Sequence, residues 1–159
     1  MIYVTFERKV RRPPAVVWAF LTDVAALTTW VDELVEVRVM GDEPLRTGTS
    51  LQLERRSSGK IEHVTSEITA FREPTLLAAE TRVNKLLFLD RITLTPIPEG
   101  TQLGVYAERM YGPRSASIFA RQPGLTVPTP QELSIRGAYE RSVDALVTRI
   151  ERQSAIPYR

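Results

Sequence analysis

Apolar and polar residues alternate with period two along most of the chain up to Met110. Ile2, Val4 and Phe6 alternate with Tyr3, Thr5 and Glu7, the pattern of a half-buried strand. Pro13-Pro14 ends that strand, because proline cannot donate to a ladder and is well placed in a helix's first turn. Val17, Phe20, Leu21 and Val24 follow at helical spacing. Asp23 can cap a second short helix through Ala25, Ala26, Leu27 and Trp30. Alternation returns at Val35, Val37 and Val39, and again at Leu51 and Leu53. Ser57-Ser58-Gly59-Lys60 reads as a hairpin turn into a long strand from Ile61 to Phe71, with Val64, Ile68 and Ala70 on one face. Strands over 76–82, 86–95 and 103–110 follow. They are separated by a tight turn at Val83-Asn84-Lys85 and a hairpin turn at Pro98-Glu99-Gly100. Short links of this kind make sequential strands antiparallel neighbours.

Residues 112–130 break the pattern with four prolines and no clear periodicity. The segment reads either as a lid over a binding site or as a plain crossover. Thr129-Pro130-Gln131-Glu132 is then a helix start signal. Leu133, Tyr139, Val143, Leu146, Val147 and Ile150 form one stripe of a helix running to about Gln153, roughly 35 Å at 1.5 Å per residue. The expected fold class is therefore α+β: a seven-stranded antiparallel sheet with a long C-terminal helix crossing it.

Composition narrows the chemistry. The 159 residues suit one domain with one core. The absence of cysteine excludes disulfides and thiolate catalysis and fits a reducing cytoplasm. No stretch approaches the roughly 20 apolar residues of a membrane span, and no charged segment followed by an apolar run suggests a signal peptide. The 21 basic and 19 acidic residues are interspersed. A mixed-charge surface is thus expected rather than a nucleic-acid interface, despite a pI near 9.1. Arg55-Arg56 is the nearest approach to a basic cluster in the first half. With one histidine and no cysteine, a histidine-rich metal site is not expected, and nothing points to a cofactor. His63 shares its phase with Thr65, Glu67 and Thr69, which places it on the outer face. No phosphate loop or nucleophile elbow is present, so no residue is assigned a catalytic role.

The order strand, two short helices, six antiparallel strands and one long helix resembles the helix-grip fold of the START-like superfamily, also called SRPBCC. Residues along the chain carry the likeness: the Arg12-Pro13-Pro14-Ala15-Val16-Val17-Trp18 entry into the first helix, Thr22-Asp23 followed by Trp30, and the strand openings at Gly48-Thr49 and Gly100-Thr101. The resemblance covers nearly the whole chain, read as one domain over 1–159. It implies a cavity between the sheet's concave face and the C-terminal helix, where family members bind lipids, sterols, hormones or polyketides. Some members are polyketide cyclases and aromatases, and others are carriers or binding partners. Fold alone does not choose among these.

Strand pairing suggests what such a cavity would contain, since opposed residues of an antiparallel pair share a face. Centring one hairpin on 97–100 sets Phe88 opposite Arg109, Asp90 opposite Ala107 and Ile92 opposite Val105. Centring the preceding one on Asn84 sets Glu80 opposite Phe88 and Ala78 opposite Asp90. Glu80, Asp90 and Arg109 would then face inward. A carboxylate there needs a partner, which predicts an Asp90–Arg109 contact. It can be a purely structural ion pair or a polar anchor for a ligand. Tyr111 shares the phase of Arg109. Trp18 and Trp30 can pack in the core or line the cavity mouth. Gly137, Ala138 and Ser142 leave room along the helix. The ligand-binding candidates are Asp90, Arg109, Tyr111, Phe88, Glu80, Trp30 and Ser142. Binding of a small apolar molecule is the leading expectation. A polyketide cyclase, aromatase or dehydratase is the alternative, and a ligand-free interaction module the third. The free sheet edges also permit a homodimer.

Overall fold

A computed structural model describes residues 2–111 and 129–154. Its elements are β1 (Ile2–Val10), α1 (Pro14–Leu21), a 3-10 helix (Val24–Thr29), β2 (Leu34–Val39), β3 (Ser50–Ser57), β4 (Lys60–Arg72), β5 (Leu76–Val83), β6 (Leu86–Ile97), β7 (Gly100–Tyr111) and α2 (Pro130–Ser154). The seven strands form one antiparallel sheet in the order β1-β7-β6-β5-β4-β3-β2. After β1 the two short helices carry the chain to the far edge. Six strands then return by hairpins until β7 lies against β1. The segment 112–128, read above as a lid or a crossover, lies outside the described residues.

Local chemistry accounts for the joints. Pro13 and Pro14 start α1, with Val16 and Val17 N–H groups bonded to the Pro13 carbonyl. Asp23 occupies the N-cap of the next helix, but its side chain makes no capping bond and the helix winds as 3-10. Thr129 and Glu132 form a capping box at α2: the Glu132 N–H donates to Thr129 Oγ1 (3.2 Å) and the Thr129 N–H to Glu132 Oε2 (3.0 Å). At the β6–β7 hairpin, Gly100 has φ +146 and lies against the end of β1, where a Cβ would come within 2.3 Å of the Val10 carbonyl oxygen. Only glycine fits there.

The main core joins α1, α2 and the β1–β7–β6 side of the sheet. Leu146 and Ile150 of α2 pack with Val4, Val10, Val17 and Leu103. Trp18 belongs to this core, edge-on to Phe71 with ring centroids 5.1 Å apart. A second, smaller cluster of Val64, Val83 and Phe88 sits on the other side.

The sheet departs from strict alternation in three places. The β5–β6 turn has two residues, not three. Val83 pairs with Leu86, and Asn84 takes the left-handed conformation at φ +56. Thr81, not Glu80, therefore stands opposite Phe88, and Ala79 opposite Asp90. A one-residue slip exchanges the faces of a whole strand. Glu80 is thus turned to the outer face, where Arg82 Nη2 holds its carboxylate at 2.6 Å. A bulge in β4 between Ile68 and Ala70 brings Phe71, rather than Ala70, into the core beside Leu77. A second irregularity, between Leu34 and Glu36, leaves Val35 exposed.

Candidate functional site

A cavity of about 280 Å³ lies between the inner face of the sheet and α2. Its apolar wall comes from both core clusters, with Leu53, Val64 and Phe88 on one side and Ile92, Val105 and Val143 on the other. Trp30 and Val31 close one side. Ala138 and Ser142 of α2 are small enough to leave the space open.

One corner is polar. The register of β6 and β7 sets Phe88 opposite Arg109 and Asp90 opposite Ala107, as the hairpin geometry predicted. Arg109 Nη1 stands 3.7 Å from Asp90 Oδ1, the diagonal contact expected from the strand phases. Tyr139 of α2 completes the corner. Arg109 Nη2 donates to the Tyr139 hydroxyl, and that hydroxyl donates to Asp90 Oδ1. The guanidinium also lies over the Phe88 ring, with Cζ 3.7 Å from the centroid. Its Nη1 is buried without a hydrogen-bond partner, as is Trp30 Nε1.

Burial dominates the electrostatics. It pushes the Asp90 carboxyl above its ordinary pKa, and the attraction of Arg109, the Tyr139 hydrogen bond and the charge of Arg55 offset only part of that rise. Asp90 keeps 36% of its side-chain surface accessible and borders the cavity. Burial and the neighbouring carboxylate push the Tyr139 phenol up as well, so it keeps its proton and acts as a donor. A protonated phenol, a fixed guanidinium and a carboxyl with a raised pKa can together orient a ligand oxygen or pass a proton to one.

Of the residues singled out from the sequence, Asp90, Arg109, Phe88, Trp30 and Ser142 all border the cavity. The Ser142 hydroxyl is engaged locally: it donates to the Ala138 carbonyl (3.0 Å) and accepts from the Asp32 N–H (2.8 Å), tying the segment before β2 to α2. Arg141 reinforces that tie through Asp32 at 3.0 Å. Glu80 is not in the cavity, for the register reason above. Tyr111 stands opposite Leu86 in the ladder, and its side chain lies outside the described residues. His63 is on the outer face with Glu54 Oε1 at 3.4 Å. Two contributors were not anticipated. Tyr139 was read only as part of the helix stripe. Arg55 was read only as half of a basic pair, although it shares its parity with Leu51 and Leu53.

Across residues 1–151 the chain matches the family model described as polyketide cyclase / dehydrase and lipid transport. Solved structures share the fold at low identity. The Zhui aromatase/cyclase from Streptomyces sp. R1128 has 17% identity and a TM-score of 0.72, with 97% of this chain and 96% of that one covered. TTHA0849 from Thermus thermophilus has 17% identity and a TM-score of 0.70, with 96% and 99% covered. Ara h 8.0201 has 13% identity and a TM-score of 0.69, with 94% and 97% covered. The comparison with curated proteins finds no match. Among the described residues, no helix is long and apolar enough to cross a membrane.

Proposed function

The chain belongs to the polyketide cyclase / dehydrase and lipid transport family, and from that premise we propose that it binds a small, largely apolar molecule in the cavity between sheet and α2, acting in the cytoplasm. One observation carries the reading: an apolar-walled space of about 280 Å³ into which a polar corner, Asp90, Arg109 and Tyr139, converges. Apolar walls supply affinity, and a few placed polar groups supply orientation. The volume is near the lower end for drug-sized ligands, which favours a compact lipid, polyketide or aromatic over a long-chain lipid. Thermal shift against a panel of lipids, sterols and aromatics tests it, because a ligand that binds only the folded state raises its stability. Stabilisation by apolar compounds of matching size is expected, and a panel without a hit would refute it.

A second reading is favoured by the same corner. A phenol bonded to a carboxyl of raised pKa, beside a fixed guanidinium, suits proton transfer on a carbonyl-bearing substrate, as in a polyketide cyclase, aromatase or dehydratase. That reading requires turnover of a poly-β-keto substrate that is lost in Arg109→Ala. Binding without turnover supports the first reading alone.

A further inference from the structure

The cavity holds a second guanidinium, which makes no hydrogen bond within the polar corner although its charge helps offset the burial of Asp90. Arg55 is on the inward face of β3, opposite Leu34 and Glu62, and borders the cavity beside Phe88, with Cζ 5.4 Å from the ring centroid. Its commitments are weak. Glu33 and Glu62 each approach only to 4.0 Å, and the Arg55 guanidinium makes no hydrogen bond to any other described residue. Arg109, by contrast, is engaged by Tyr139, Asp90 and the Phe88 ring, and its unbonded Nη1 is buried 3.7 Å from Asp90 Oδ1. The carboxylates near the cavity are also largely occupied: Asp32 by Arg141 and Asp90 by Tyr139. Glu33 is more than half exposed, so solvent screens its pull on Arg55.

Resting on the cavity-binding reading, we propose that the ligand is an apolar acid whose carboxylate is received by Arg55 while its body lies against Phe88 and the apolar wall. A guanidinium presents a planar fork of N–H donors matched to the two oxygens of a carboxylate, and such charge-assisted pairs are among the strongest hydrogen bonds available. The side chain is 27% exposed, so it is shielded enough to strengthen the pair and open enough to be reached. Polarity thus lies at two places in the cavity. The Asp90–Arg109–Tyr139 group is tied together by its own hydrogen bonds, and Arg55, 27% exposed against 18% for Arg109, is the more open cationic position.

The experiment compares acids with their uncharged amides of the same shape. Dissociation constants for naphthoic acid and naphthamide, and for decanoic acid and decanamide, are measured by calorimetry near neutral pH. The proteins are wild type, Arg55→Gln and Arg55→Lys, each checked for folding by circular dichroism. The wild type is expected to bind the acid of at least one pair about tenfold or more tightly than its amide, with the preference falling as salt is raised. Arg55→Gln should abolish the preference while leaving amide binding within about twofold, and Arg55→Lys should retain only part of it. Equal binding of acid and amide by the wild type, which depends on no variant, overturns the assignment of an acid ligand but leaves the cavity-binding reading standing. An acid preference that survives Arg55→Gln overturns the role of Arg55. Failure of all four compounds to bind overturns both.

Discussion

Asp90→Asn tests what the buried carboxylate does to the fold. Burial raises the Asp90 pKa above the ordinary 3.8 even against the pull of Arg109, Tyr139 and Arg55. A raised carboxyl pKa means that the folded state favours the neutral acid more than the unfolded chain does. The stability contributed by this group is fully present below 3.8 and is lost as pH rises through the higher folded value. At neutral pH the wild type has thus lost stability that a permanently neutral side chain would keep. The asparagine carbonyl keeps the shape and still accepts from Tyr139. Removing one partner of a buried pair also leaves Arg109 without its counter-charge, a cost that works against the gain. The upward shift of Asp90 despite Arg109 sets the sign, and with 36% of its side-chain surface accessible, solvent screening keeps the net small. The expected gain is at most about 1 kcal/mol, or roughly 2–4 °C in Tm for a chain of this size. Calorimetric or urea unfolding of both proteins across roughly pH 3 to pH 8 reads it. The difference between them isolates Asp90, because every other group titrates in both. It should be positive at neutral pH and shrink as pH falls toward 3.8. A variant less stable than wild type at neutral pH, or a difference independent of pH, would refute the reasoning and show that the Arg109 attraction outweighs burial.

Three further outcomes follow from the same contacts. Arg109→Met strips Asp90 of its cation and Phe88 of its guanidinium, so urea unfolding should show a loss of about 2–3 kcal/mol, partly recovered when Asp90→Asn is added. Tyr139→Phe removes a hydrogen bond that favours the ionised carboxylate. It should cost about 1 kcal/mol in a thermal melt and move the Asp90-linked pH dependence to higher pH. Leu146→Ala, at a fully buried position where α2 meets the main core, should cost about 2–5 kcal/mol by chemical denaturation, and a loss below about 1 kcal/mol would mean that α2 is not held by that contact.

The topology could be read from the chain because short links leave sequential strands no arrangement other than neighbouring and antiparallel. The β6–β7 register was legible for the same reason. Pro98-Glu99 admits few turns, and with Ile97 paired to Gly100 every inward residue from Phe88 to Leu94 follows by parity. The β5–β6 register was not legible from Val83-Asn84-Lys85 alone. Asparagine's tolerance of the left-handed region, with a buried β-branched Val83 ahead of it, was the signal for the two-residue turn that puts Thr81 inward and Glu80 outward. The bulges at Val35 and Thr69 left no comparable mark, because a bulge answers to packing across the sheet and not to the strand's own pattern.

The site shows a different limit. Parity alone placed Asp90 and Arg109 on the inner face, and parity alone would have placed Arg55 there too, after Leu51 and Leu53. What the alternation does not record is the partner: Tyr139 reaches Asp90 from an element 49 residues away. The two halves of the sheet suggest how such positions should be read. In the packed half, the inward residues of β7 from Thr101 to Ala107 are apolar except Thr101, and its hydroxyl is used by the Arg12 carbonyl at 2.6 Å. In the half that faces the cavity, inward parity carries Arg55, Thr81, Asp90 and Arg109. Close packing forbids a long charged side chain unless its polar atoms are met on the spot, whereas a cavity supplies the room. Charged residues recurring at the buried parity of neighbouring strands therefore mark where the sheet encloses space and where a ligand would meet polar groups.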